Sequence, residues 1–133
     1  IYQCDWSSDV CSSDLKIILT HGTADDFITP HNTEVYYAKQ VKEFGQSSLD
    51  SFARFYMIPG FGHGFGPFNA KFDGLKAIQD WVEKGQAPAG MVTTDGNPNA
   101  NRARPMCEWP RYPKFTGAAG TEGNAASFTC TMP

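Results

Sequence analysis

Leu15–Gly22 reads LKIILTHG, and its character decides the fold. The run Leu15–Thr20 is apolar on both alternating faces and rich in residues that favour strands. That is the pattern of a strand buried inside a parallel sheet. A polar loop, HGTADDFITP (His21–Pro30), follows it. From Asn32 to Phe44 the spacing predicts a helix, with Tyr37, Val41 and Phe44 on one face and Gly45 placed to end it. A second strand is expected over Ala53–Ile58 (ARFYMI), stopped by Pro59, which has no ladder donor. The loop PGFGHGFGP (Pro59–Pro67) carries four glycines in nine residues. A second helix is expected over Phe72–Lys84, with Leu75, Ile78 and Val82 on its inner face, Trp81 at the edge and Gly85 closing it. Met91–Thr94 reads as one more short strand. Strand, loop and helix repeated twice is the α/β pattern of a parallel sheet with flanking helices.

The ends of the chain read differently. Ile1–Leu15 (IYQCDWSSDVCSSDL) repeats Ser-Ser-Asp and has no apolar period of either kind. From Cys4 to Leu15 it resembles the in-frame translation of a short-read sequencing adapter, so residues 1–15 are expected to be a non-native leader. A chain opening on Ile1 also reads as a piece of a longer protein. After Asp95 the sequence is rich in Gly, Asn, Pro and Ala, and an irregular tail is expected over 95–133. The expected layout is a leader (1–15), strands and helices (16–94) and a tail of the same domain (95–133).

The totals bound the function. The chain has 133 residues, 41% hydrophobic and 14% aromatic, enough for one small domain with a packed core. Its net charge is -3 and it has no basic run, which argues against a nucleic-acid groove. No apolar run approaches the ~20 residues that span a bilayer. Cys4, Cys11, Cys107 and Cys130 form no CxxC pair and show no zinc spacing.

Two loops leave the ends of the two strongest strands, where ligands bind in open α/β sheets. The first offers His21, Asp25 and Asp26; the second offers His63 among Gly60, Gly62, Gly64 and Gly66. An acid after one strand and a histidine after a later one is the chain order of the last two members of a Ser-Asp-His triad on this type of sheet. The acid would fix the imidazole tautomer, and the imidazole would carry the proton between a serine and a leaving alcohol. No nucleophile elbow accompanies them. Ser47, Ser48, Ser51 and Ser127 do not sit on a strand-to-helix glycine turn.

Three stretches carry a resemblance. LTHGTADDFITPHNTEVYY (19–37) resembles the acid-bearing loop of the tannase and feruloyl esterase family, and FYMIPGFGHGFGPFNAKFDGLKAIQDWVEKGQAP (55–88) its histidine loop and following helix. RARPMCEWPRYPKFTG (102–117) with ASFTC (126–130) resembles its C-terminal signature. The resemblance runs over Leu15–Met132. It implies the C-terminal part of an α/β-hydrolase domain acting on small esters of aromatic acids, of tannin or feruloyl type. It implies Asp25 as the catalytic acid and His63 as the general base, with Asp26 the second choice for the acid and His21 structural. It implies a Cys107–Cys130 disulfide and hence a secreted or periplasmic protein. The serine, the oxyanion donors and a lid domain with a calcium site are expected upstream of this stretch, and no cofactor or metal ligand within it. One departure stands out: many members carry Cys directly after the catalytic histidine, tethered beside the serine, and here Gly64 occupies that place.

Without a nucleophilic serine on an elbow the chain is expected to be inactive alone. A second reading is a non-catalytic α/β module binding aromatic or carbohydrate ligands on Trp109, Tyr112 and Phe115. Phe61, Phe65 and Phe68 beside His63 are expected to serve packing ahead of pocket lining.

Overall fold

In a computed structural model of the chain, residues 15–133 are described. The expected leader, with Cys4 and Cys11, lies outside them, apart from Leu15. Strand β1 (Ile17–Gly22) pairs in parallel with β2 (Ala53–Ile58), Ile17 opposite Ala53 and Gly22 opposite Ile58. Between them run helix α1 (Pro30–Phe44) and the short helix α2 (Gln46–Asp50). Strand β3 (Ala70–Lys71) precedes helix α3 (Gly74–Lys84), and β4 (Val92–Asp95) follows it. Strands β3, β4 and β5 (Ala103–Pro105) form an antiparallel sheet, and β6 (Tyr112–Phe115) pairs antiparallel with β7 (Phe128–Thr131).

Strand β2 is the axis of the core because it is apolar on both faces. Tyr56 and Ile58 join Phe68, Ala70 and Met106 in one buried cluster; Ala53 and Phe55 join Tyr37 and Leu49 in the other. Phe55 is 0% exposed. A run with no polar face needs cover on both sides, and here α1 with α2 gives one side and β3–β5 the other.

The helices begin and turn differently from their sequence reading. Helix α1 starts at Pro30, two residues before Asn32, because a proline at the first helical position is already set for helix and loses no hydrogen bond. Phe44, expected on its inner face, is exposed; Tyr37 and Val41 make the contact. The serines expected in a plain polar connection flank and enter α2, which forms to bury Leu49. Helix α3 starts at Gly74, capped by Asp73, whose carboxylate accepts from Lys76 N at 2.8 Å. Leu75 and Val82 are 78% and 55% exposed, against expectation. The covered stripe runs through Ala77, Ile78 and Trp81, turned away from those two. Trp81 is buried, with Lys16 and Arg54 placed over its ring.

The tail is also more regular than its composition suggests. Its three strands have three or four residues each, too short for periodicity to show, and two contain proline, Pro105 and Pro113. Proline is tolerated there because both lie in small sheets with open edges. Glu108 bridges to Tyr56, and Trp109 N donates to Phe55 O at 2.8 Å, so the tail covers the outer edge of β2. Among the described residues, no strand pairs with the other edge of β1. Cys107 and Cys130 are joined as a disulfide with Cα atoms 5.4 Å apart.

The disulfide closes a span of 23 residues, which in the chain-entropy account stabilises by about 3 kcal/mol. Urea unfolding of the Cys107→Ala, Cys130→Ala double variant is expected to show that loss. A loss below about 1 kcal/mol would mean the hairpin β6–β7 holds the tail without the bond.

Candidate active site

The parallel register puts Gly22 beside Ile58, so two loops spring from the same end of the sheet at the same level. They then lace together. Thr23 N donates to Ile58 O at 3.0 Å and Ala24 N to Phe61 O at 3.0 Å. Gly60 N donates to Thr23 Oγ1 at 3.1 Å. Gly22 makes this approach possible: a Cβ there would lie 2.0 Å from Phe61 O. Gly62 is as constrained, since its Cβ would lie 2.5 Å from Phe65 O.

The lacing brings Asp25 to His63. Asp25 Oδ2 lies 3.0 Å from His63 Nδ1. Its other oxygen, Oδ1, accepts from Phe27 N at 3.0 Å and Ile28 N at 2.9 Å, an Asx turn that fixes the carboxylate plane. The Asp25 side chain is 6% exposed, whereas that of His63 is 51% exposed. The Ile28 N–H is the largest influence holding the Asp25 pKa down at about 2; burial opposes it, and the bonds from His63 and Phe27 add to it. An ionised carboxylate only accepts, so the hydrogen between the pair sits on His63 Nδ1 and leaves Nε2 as the acceptor.

His21 is part of the same site. Its Nε2 lies 3.1 Å from Ile28 O and 3.4 Å from Asp25 Oδ2, and its Nδ1 lies 2.8 Å from Thr33 Oγ1. Both oxygens facing Nε2 accept, so Nε2 carries the hydrogen and His21 supports the Asp25 turn. Asp26, the alternative acid, is exposed and is not the partner of His63. His21, Gly22, Asp25, Ile28, Gly62 and His63 line one open depression.

The aromatic residues divide. Phe68 is buried and Phe61 packs against the core, as expected of packing residues. Phe65 is 59% exposed and faces Phe27, which is itself 70% exposed and lies 5.6 Å from the His63 ring. Phe27 was not singled out in the sequence; its place two residues after an Asx-turn aspartate was the available signal. Thr33, which holds His21, had none. Trp109 packs edge-on to Tyr37 and donates to Glu34, while Phe115 packs on Phe128, so Trp109, Tyr112 and Phe115 form no stacking row. Among the described residues no three His, Cys, Asp or Glu side chains gather as a cation's ligands would.

The model of one family, tannase and feruloyl esterase, matches residues 3–131. The chain belongs to this family. It is 34% identical over 128 residues to an uncharacterized esterase of Agrobacterium fabrum, covering 95% of this chain and 23% of that protein. It is 32% identical over 123 residues to mono(2-hydroxyethyl) terephthalate hydrolase of Piscinibacter sakaiensis, covering 89% and 20%. The crystal structure of feruloyl esterase B from Aspergillus oryzae superimposes with a TM-score of 0.76 at 25% identity, over 87% of this chain and 26% of that one. The chain thus spans about a quarter of the length of its relatives.

Two expectations follow from the geometry. Asp25 has a folded-state pKa of about 2, below its ordinary 3.8, so between these values the unfolded chain binds more protons and stability rises with pH. The contribution is complete above the ordinary value and is lost as pH falls through about 2. Melting temperatures from pH 2 to 5 are expected to climb more steeply for the native chain than for Asp25→Asn; parallel curves would refute the shift. Gly22→Ala, which drives a methyl group into Phe61 O, is expected to cost about 1–3 kcal/mol in urea unfolding. It should also remove the NMR signal of the His63 Nδ1 hydrogen, and its survival would show that the loops can part without losing the pair.

Proposed function

We propose that this chain supplies the general base and its orienting acid to a serine carboxylic ester hydrolase acting on esters of aromatic acids. The observation that carries the reading is the 3.0 Å contact between buried Asp25 and half-exposed His63, with Nε2 left over for a substrate-side proton. Family membership supports it, as do relatives whose names specify feruloyl and terephthalate esters. The exposed rings of Phe27 and Phe65 beside His63 suit an aromatic acyl group.

In this reading His63 Nε2 removes the hydroxyl proton of a serine as its oxygen attacks the ester carbonyl. Asp25 stabilises the imidazolium that forms. His63 then delivers the proton to the departing alcohol, and water repeats the sequence on the acyl-enzyme. Among the described residues no serine lines the depression, and the Ser51 and Ser127 hydroxyls are bonded to Ser48 O and Thr121. We assign the nucleophile and oxyanion donors to the part of the relatives' length that this chain does not span. The disulfide supports a secreted or periplasmic location. Among the described residues no helix is long and apolar enough to cross a membrane.

The chain alone is therefore expected not to hydrolyse aryl esters. In an esterase that contains it with the serine, His63→Ala and Asp25→Asn should each lower kcat by about a thousandfold to ten-thousandfold. Turnover that persists through His63→Ala would place the chemistry elsewhere.

A further inference from the structure

The relay leaves unused the charged residues that open the tail, and these converge on the far side of the His63 loop. The Asp95 side chain is 0% exposed. Its Oδ1 accepts from Asn69 N at 3.0 Å and Asn97 N at 2.9 Å. Its Oδ2 accepts from Arg102 Nε at 3.0 Å and from a terminal nitrogen of the same guanidinium. Burial alone would raise the Asp95 pKa; the two backbone N–H groups and Arg102 outweigh it, so the carboxylate stays charged.

That anchored pair reaches the loop. The terminal nitrogen of Arg102 also donates to Pro67 O. Asn97 Nδ2 donates to Gly66 O at 2.9 Å and, at 3.4 Å, to Pro67 O. Among the described residues these carbonyls have no backbone donor, so the two side chains are their partners. The loop is closed at its base by Phe68 N donating to Gly60 O at 3.1 Å, and is held on its near side by Thr23 and Ala24. The third grip, on the far side, comes from Arg102 and Asn97. One terminal nitrogen of Arg102 bonds both Asp95 Oδ2 and Pro67 O, and Nε adds a second bond to the same carboxylate oxygen, which a lysine with its single nitrogen would lose.

Building on the Asp25–His63 relay, we infer that Arg102 and Asn97, anchored on buried Asp95, are positioning residues that fix the loop presenting His63 to Asp25. Neither touches His63, so their effect travels through the Gly66 and Pro67 carbonyls.

The test is nitrogen-15 histidine NMR of the chain, reading water exchange of the His63 Nδ1 hydrogen. Asn97→Ala removes two loop bonds while leaving the ion pair. It is expected to speed exchange roughly fivefold, the scale of one net hydrogen bond. Arg102→Met should speed it more, and Arg102→Lys, which keeps one nitrogen able to bridge Asp95 and Pro67, should speed it less than Arg102→Met. Leu49→Ala, in the other core cluster, should lower the melting temperature and leave this exchange unchanged, which separates positioning from general loosening. Native-rate exchange in folded Asn97→Ala and Arg102→Met overturns the inference. If Arg102→Met does not fold, Asn97→Ala decides alone. Asp25→Asn in the same series must remove the protected signal; if the signal persists, the relay reading falls and the role of the brace falls with it.

Discussion

Two backbones meet at Gly22 and Phe61 with no room for a methyl group between them, and the arrangement of the site depends on that contact. Parallel pairing of β1 with β2 delivers both loops to the same end of the sheet. Pairing alone would leave them side by side. The hydrogen bonds from Thr23 and Ala24 to Ile58 and Phe61 draw the first loop across the second. Only then can a short aspartate side chain span the gap to a histidine 38 positions away. The glycines are therefore constraints on approach as much as on backbone angle.

The electrostatics follow from how Asp25 divides its oxygens. One is satisfied by the Phe27 and Ile28 N–H groups, and the other faces the imidazoles of His63 and His21. A carboxylate so nearly buried would be costly without partners; with four around it, it stays ionised. The two members of the pair then differ in kind. The acid is enclosed among four partners, and the base is half in solvent with one nitrogen unclaimed among the described residues. Such asymmetry suits a pair in which one member orients and the other exchanges protons.

The parts of this arrangement visible in the sequence were those written as contiguous patterns. Two short apolar runs located β1 and β2, and the loops following them brought forward His21, Asp25, Asp26 and His63, among which the family resemblance pointed to Asp25 and His63. The glycine pattern around His63 marked a tight loop, although which glycine met which backbone was not readable. Choices made by distant partners were invisible. The rotation of α3 depends on what Trp81 packs against, which is why Leu75 and Val82 point outward. The strands of the tail depend on pairing across long separations, such as Phe115 with Phe128. His21, for which the resemblance implies a structural role, bonds Thr33 and Ile28 and also reaches the Asp25 carboxylate, which no spacing rule encodes.

The tail acquires a reason from these contacts. Cys107, which is covalently tied to Cys130, follows five positions after Arg102, which grips the His63 loop. Between them β5 pairs with β4, and just beyond them Glu108 and Trp109 lie along β2. The same short segment is thus fixed to the loop, to a sheet, to the core strand and to a disulfide. Cutting the disulfide should act on the site by raising the freedom of Arg102, because every added conformation of the segment lowers the population that holds Pro67. The staple and the brace are two ends of one constraint, which places an exposed histidine without burying it.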